Sequence, residues 1–344
     1  MLLVINQKEG ISTKQRIEQV DILRMMAMLL VMYQHANGPF SLYILAFHMP
    51  IFFIITGFTF AISDSWKKIK FKDFIIKRAK VILVANYSFI VINIVFNILI
   101  GTFTDQSFSL SIKTLFLLGG NSTGLLPMTF WFLPILFFAD VFFFIALKSM
   151  GNVTYYTLTS ILFSYVLTKT APFSTLLISS QLSMIFMGTF FIGVGYLFSK
   201  QIYKLITGKH KLIVNVCLSI ISLVGLILFV NLNYSPFYMF MNSYGSYPWA
   251  ILGALSGSLF LMSIIRFLPN YRLMNRFLIW GGQNTLSLFP IHVTLLAGMV
   301  YLENKIQFTP DFLWLYNLIT LCLISFTVAW VIEKYLPFLI GRKK

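Results

Sequence analysis

Charge is what this sequence has least of. Asp, Glu, Lys and Arg make up 10% of its 344 residues, and the acidic sign is the scarcer, with 10 Asp and Glu against 26 Lys and Arg. A soluble globule of this length cannot cover its surface with so few charges, so the soluble classes are excluded at the outset. Cysteine is nearly absent as well. Cys217 and Cys322 both lie in apolar runs without CxxC spacing, which gives no basis for a disulfide framework or a thiolate metal site. HExxH and Walker A patterns are missing, weakening zinc-protease and ATP-driven readings. No small-residue cleavage site follows the first apolar run, which therefore reads as an anchor that is retained. No repeat supports the internal two-fold symmetry of many transporters.

What is present is apolar: 58% hydrophobic and 17% aromatic residues. Runs near the ~20 residues needed to cross a bilayer recur along the whole length. The expected fold class is all-α, a polytopic membrane helix bundle forming one integral-membrane domain over residues 1–344, with an N-terminal segment at 1–19 and a basic tail at 333–344. Ten spans are expected: Val20–Asn37, Tyr43–Ser63, Val81–Gly101, Thr129–Leu147, Tyr155–Thr168, Gln181–Ser199, Leu212–Asn231, Pro248–Arg266, Phe277–Tyr301 and Phe312–Ile332. Leu115–Leu126 is apolar but too short to span, and reads as a re-entrant or interfacial segment.

Basic residues orient this bundle. With both termini cytoplasmic, only Lys113, Lys169 and Lys305 of the 26 Lys and Arg fall outside, an asymmetry that an odd span count would scramble. The formal net charge of +16 follows from such topology and from contact with anionic membrane lipids; nucleic-acid binding is not implied. The dense run from Lys67 to Lys80 is also where a phosphorylated co-substrate would land.

Ionisable residues inside the spans carry the functional signal. A charge in hydrocarbon costs at least about 2.5 kcal/mol, so such residues face a partner or a wet cavity. Arg24 and His35 are eleven positions apart, within roughly 20° of one helical face. Asp21 is three before Arg24 and can pair with it, giving the first helix one polar stripe. Asp140, ringed by phenylalanines in the fourth span, must find a cation or take up a proton, with an interhelical ion pair the plainer expectation. His292 lies mid-span in the ninth helix and is a cavity candidate. His48, beside Pro50 near the outer surface, reads as interfacial packing. A histidine is a general base at neutral pH, and an arginine can hold phosphate or an oxyanion. These parts suit either acyl transfer from an anionic thioester or transport of a polar substrate, such as export of a polysaccharide or lipid-linked sugar.

Four blocks narrow the choice. Val20-Asp21-Ile22-Leu23-Arg24 with His35 at Arg-x10-His spacing, Phe47-His48-Met49-Pro50 through Gly57-Phe58, Trp131-Phe132-Leu133-Pro134, and Gly282 through Pro290-Ile291-His292 resemble, in order, the membrane-bound acyltransferase 3 family. That resemblance implies transfer of an acyl group, usually acetyl, from acetyl-CoA as co-substrate to a hydroxyl of an envelope glycan or lipid-linked sugar, with no permanently bound cofactor and a setting in a bacterial plasma membrane. It implies His35 and Arg24 as the functional pair, His35 handling the proton and Arg24 the donor. Arg78 matches the first arginine of an R-x-x-R motif for donor binding. Val81 stands at the second, leaving Lys80 as the possible substitute, a point charge without the bidentate fork. Thr56 replaces a usual serine and Phe289 a usual tyrosine. Relatives with an added esterase-like domain are longer, so this chain is expected to finish the transfer alone or to pass the acyl group to a separate partner.

Overall fold

The computed structural model describes residues 17–104, 128–149, 151–170, 177–306 and 312–342, and those residues are helical with no strand among them. The segment expected to be re-entrant, Leu115–Leu126, lies outside the described residues. In chain order the helices are α1 (Glu18–His35), α2 (Ser41–Leu45), α3 (Pro50–Ser63), α4 (Phe71–Thr104), α5 (Phe132–Ser149), α6 (Val153–Thr170) and α7 (Leu177–Leu197). They continue with α8 (Ser199–Ile206), α9 (Leu212–Leu232), α10 (Tyr247–Ile264), α11 (Arg272–Gln283), α12 (Thr285–Ile306) and α13 (Leu313–Tyr335).

Helices stand at each of the ten expected positions, and among the described residues seven stretches are long and apolar enough to cross a membrane. α1 is not among these seven because Glu18, Asp21 and Arg24 interrupt its first turns. Two expected boundaries are corrected. The ninth span does not start at Phe277: α11 ends at Gln283, and α12 begins only at Thr285. Glycines propagate a helix poorly, and after Gly281 and Gly282 the Asn284 amide donates to the Trp280 carbonyl at 3.0 Å, replacing the helical continuation with a side-chain cap. α4 starts ten residues before the expected Val81, so Arg78 and Lys80 lie within a helix instead of at its mouth.

The second span is likewise broken, into α2 and α3, with residues 46–49 forming the turn before Pro50 at the start of α3. Proline has no N–H to give a preceding turn but fits the first turn of the next helix. His48 is thereby held at the junction.

α3 is the centre of the bundle: 83% of the apolar window that contains it is buried, against 17% for α9, which shows Ile213, Ile220, Ile221 and Val224 to the surroundings. In a bilayer such a side is solvated by lipid, so apolar exposure there is no defect. α3 packs closely on α7 because Gly57 and Gly195 face each other's helix. A Cβ on Gly57 would overlap the Ile192 carbonyl, and one on Gly195 the Ile54 carbonyl. This is the small-residue contact by which membrane helices associate without a hydrophobic drive of their own. α11 meets α1 the same way, with Gly282 pressed on the Asp21 backbone and Gly281 on Met25.

One end of the bundle gathers basic residues. There Lys148 donates to the Lys67 carbonyl at 2.9 Å, Arg266 to the His210 carbonyl, and Arg342 to the Gln283 carbonyl at 2.9 Å. The opposite end is tied by neutral groups, including Tyr43 with Asn231 and Thr168 with Asn242.

Candidate functional site

α1 carries one candidate near each end, and its neighbours build a different environment around each. At the basic end, Arg24 and Asp21 form the expected pair at 3.2 Å, the carboxylate buried and the guanidinium 29% exposed. Across from it on α4, Arg78 pairs with Asp140 of α5 at 2.5 Å, with Asp140 fully buried and Arg78 31% exposed. Asp140 thus takes the ion-pair role expected of it. The Phe60 ring lies 5.8 Å from the Arg78 guanidinium, and Arg78 Nε is left without a partner. A buried carboxylate demands such a cation, because an uncompensated charge would cost several kcal/mol.

Both arginines line one cavity of about 200 Å³. Its polar wall is Arg24, Arg78, Thr56, Thr59, Gln283 and Thr285, and its apolar wall includes Phe52, Phe132, Leu133 and Phe289. Thr56 keeps its hydroxyl on the Phe52 carbonyl at 3.0 Å. Gln283 is held in place from behind: its carbonyl accepts from Arg342, which also donates to Asn284 at 2.9 Å and pairs with Glu333 at 3.3 Å. Glu333 in turn accepts from Trp280 at 2.8 Å and Asn284 at 3.0 Å. The break between α11 and α12 is therefore a clamped wall of the cavity. Lys80 is exposed and does not line this space; its neighbour Val81 does.

At the other end of α1, about 16 Å along the axis, His35 meets two more histidines. The His292 ring, from α12, lies 5.3 Å from the His35 ring between centroids. His48, in the α2–α3 turn, is within electrostatic range of both. His48 and His292 are buried and anchored alike, Nδ1 bonding the carbonyl four residues back: Ile44 at 3.0 Å and Leu288 at 3.2 Å. His35 is partly buried.

Between the two poles stand Phe52, Phe132 and Phe289, with Phe132 and Phe289 4.5 Å apart and Phe52 within 6.2 Å of each. Phe289 touches both regions, lining the arginine cavity and lying 5.7 Å from the His292 ring. His35 is not among the residues that line the arginine cavity, whereas Phe52, Phe132 and Phe289 are. A second hollow of about 220 Å³, between α2, α9 and α10, is lined by residues such as Leu42, Tyr234 and Trp249 and contains none of the titratable candidates.

His48, expected from the sequence to serve packing, is buried in the turn before α3. The short α2 turns the chain back so that residues 35 and 48 come within electrostatic range. The Glu333–Arg342 clamp had no sequence signal, since both residues sit in a stretch that reads as an ordinary basic tail.

These two poles suit different chemistries. Paired, partly solvated guanidiniums on a small amphipathic cavity hold an anion or polarise a carbonyl, and clustered imidazoles exchange protons. No curated protein and no solved structure matches this chain. The profile of the acyltransferase 3 family, described as an acyltransferase domain, matches residues 17–334. With the match running from the start of α1 almost to the end of α13, the chain belongs to the acyltransferase 3 family, and it is a membrane acyltransferase by that membership.

Proposed function

We propose that this protein moves an acetyl group from acetyl-CoA, bound from the cytoplasmic side, to a hydroxyl of a cell-envelope glycan or lipid-linked sugar. In this reading ten helices cross a bacterial plasma membrane and both termini are cytoplasmic. The observation that carries it is the polarity of α1: two ion-paired arginines on a cavity at one end, a histidine cluster at the other, and an aromatic partition between them.

The basic end takes the donor. Exposed lysines such as Lys80 attract its phosphates, and Arg24 and Arg78 supply fixed donors around the thioester end. A cavity near 200 Å³ is smaller than the ~300–1,000 Å³ of pockets that engulf a drug-sized ligand, so only the acyl end and the adjoining arm enter it. Its mixed lining fits that need, with threonine, glutamine and arginine for amides and carbonyl, and phenylalanine and leucine for methylenes. The acceptor comes to the histidine end. There His35 removes the hydroxyl proton as the oxygen attacks the acyl carbon, the C–S bond breaks onto sulfur, and the thiolate is protonated on release. For the thioester to reach His35, the Phe52–Phe132–Phe289 partition has to open when the donor arm threads it. Closed rings keep water from the thioester until then.

The test is reconstitution in nanodiscs with acetyl-labelled CoA and isolated envelope glycan. Wild type should transfer label to the glycan and His35→Ala should not, at equal protein level. Equal transfer by both, or none by wild type across a panel of envelope glycans, would remove this reading.

A further inference from the structure

Three histidines meet at one end of α1, and only one of them is needed as a base. The other two are fixed. A carbonyl oxygen only accepts, so the bonds from Nδ1 of His48 to Ile44 and of His292 to Leu288 require the proton on Nδ1 in both rings. Each neutral ring then carries its lone pair on Nε2. For His292 that nitrogen is wholly buried and has no partner. A buried acceptor left bare is unfavourable unless a donor is within reach. The ring beside it is His35, at 5.3 Å between centroids and tilted by 50°. At that separation, ring nitrogens turned toward one another approach the ~3 Å of an N–H···N contact. His35 differs from the other two: it ends α1, is partly exposed, and has no backbone anchor of the kind that fixes them.

Resting on the acyl-transfer reading above, we propose that His292 is the positioning residue of this site: its Nε2 accepts the single N–H of neutral His35 and so leaves the other His35 nitrogen as the lone pair that meets the acceptor hydroxyl. His292 holds His35 in one tautomer through a neutral ring, where a carboxylate would serve in a charged triad. The electron and proton count closes without any change at His292. The acceptor O–H bond breaks as its proton bonds to the His35 lone pair, the acceptor oxygen bonds the acyl carbon, and the thioester C–S pair leaves on sulfur. The His35 cation then returns its proton to the thiolate. While cationic, His35 keeps its other N–H on His292, a charge-assisted bond stronger than the one at rest. His48, anchored to the Ile44 carbonyl, lies within electrostatic range of both rings.

The arrangement predicts a measurable bond in the wild-type protein. In nanodiscs, with histidine labelled by nitrogen-15, a through-bond N–H···N coupling should join His35 and His292, and it should vanish in His292→Phe. Turnover of labelled acetyl should fall about a hundredfold in His292→Phe, with the KM for acetyl-CoA within twofold of wild type. His292→Gln, whose amide oxygen can accept the same N–H, should recover at least tenfold of that loss. Absence of the coupling in wild type overturns the proposal and requires no variant to fold, and so does wild-type turnover in His292→Phe at normal protein level. A coupling present in a protein that transfers no acetyl would uphold the histidine pair and count against the acyl-transfer reading alone.

Discussion

The arginine pole and the histidine pole sit on one helix yet are stabilised in opposite ways. Every guanidinium at the first has a carboxylate within ion-pair distance, Arg24 with Asp21 and Arg78 with Asp140, and each retains some exposure. The imidazoles of the second have no carboxylate among the described residues around them, and two of the three are fixed only by backbone carbonyls. A guanidinium is always charged, so a site made from it must carry compensation permanently, whereas an imidazole can be stored neutral in an apolar setting and charged only when it takes a proton. The difference shows why each arginine keeps a carboxylate beside it while the histidines stand without one.

Replacing the residue specific to each pole should therefore give different defects. The largest is expected for His35→Ala, which removes the base: kcat should fall by about 10²–10⁴ with KM for acetyl-CoA and protein abundance unchanged. A loss of abundance as large as the loss of activity would make the cluster merely structural. Next comes Arg78→Ala, which strands Asp140 and should destabilise the protein by about 3–5 kcal/mol, read as a lower thermal midpoint in detergent. Adding Asp140→Leu should restore much of the midpoint without restoring donor binding. If the double variant regained both, Arg78 would serve the fold alone.

Phe289→Ala tests the partition between the poles. Opening it should raise acetyl-CoA hydrolysis in the absence of acceptor severalfold, since water then reaches the thioester. An unchanged hydrolysis rate would mean that the rings do not seal the donor from the acceptor side. The smallest effect is expected for Lys80→Ala. An exposed charge screened by salt should change the KM for acetyl-CoA by no more than about threefold at physiological ionic strength, and by more at low salt. A change as large as that of Arg24→Ala would place Lys80 with the arginines after all.

Much of the first pole was legible in the sequence because it rests on local spacing. Asp21 and Arg24 at i, i+3 share a helical face, and Asp140 among phenylalanines had to find a cation or take up a proton, the ion pair being the plainer expectation; the structure shows both pairs. The break at Gln283–Asn284 was less legible. Its apolar flanks read as one continuous span, and the Asn284 cap, completed by Glu333 and Arg342 from 49 and 58 residues away, ends α11 there.

Composition alone determined that this chain is a helical membrane protein, because hydrocarbon accepts a backbone only when its own hydrogen bonds are satisfied, and apolar runs of that length can do so as helices. Local spacing determined the face on which Asp21, Arg24 and His35 lie. Only the tertiary structure decided that His48 and His292 join His35, that Arg78 shares a cavity with Arg24 while Lys80 does not, and that three phenylalanines stand between the poles. Those contacts depend on which helices are neighbours, a matter settled by glycines packing against distant backbone and by turns that fold α2 back beside α1. No periodicity within one segment encodes that choice.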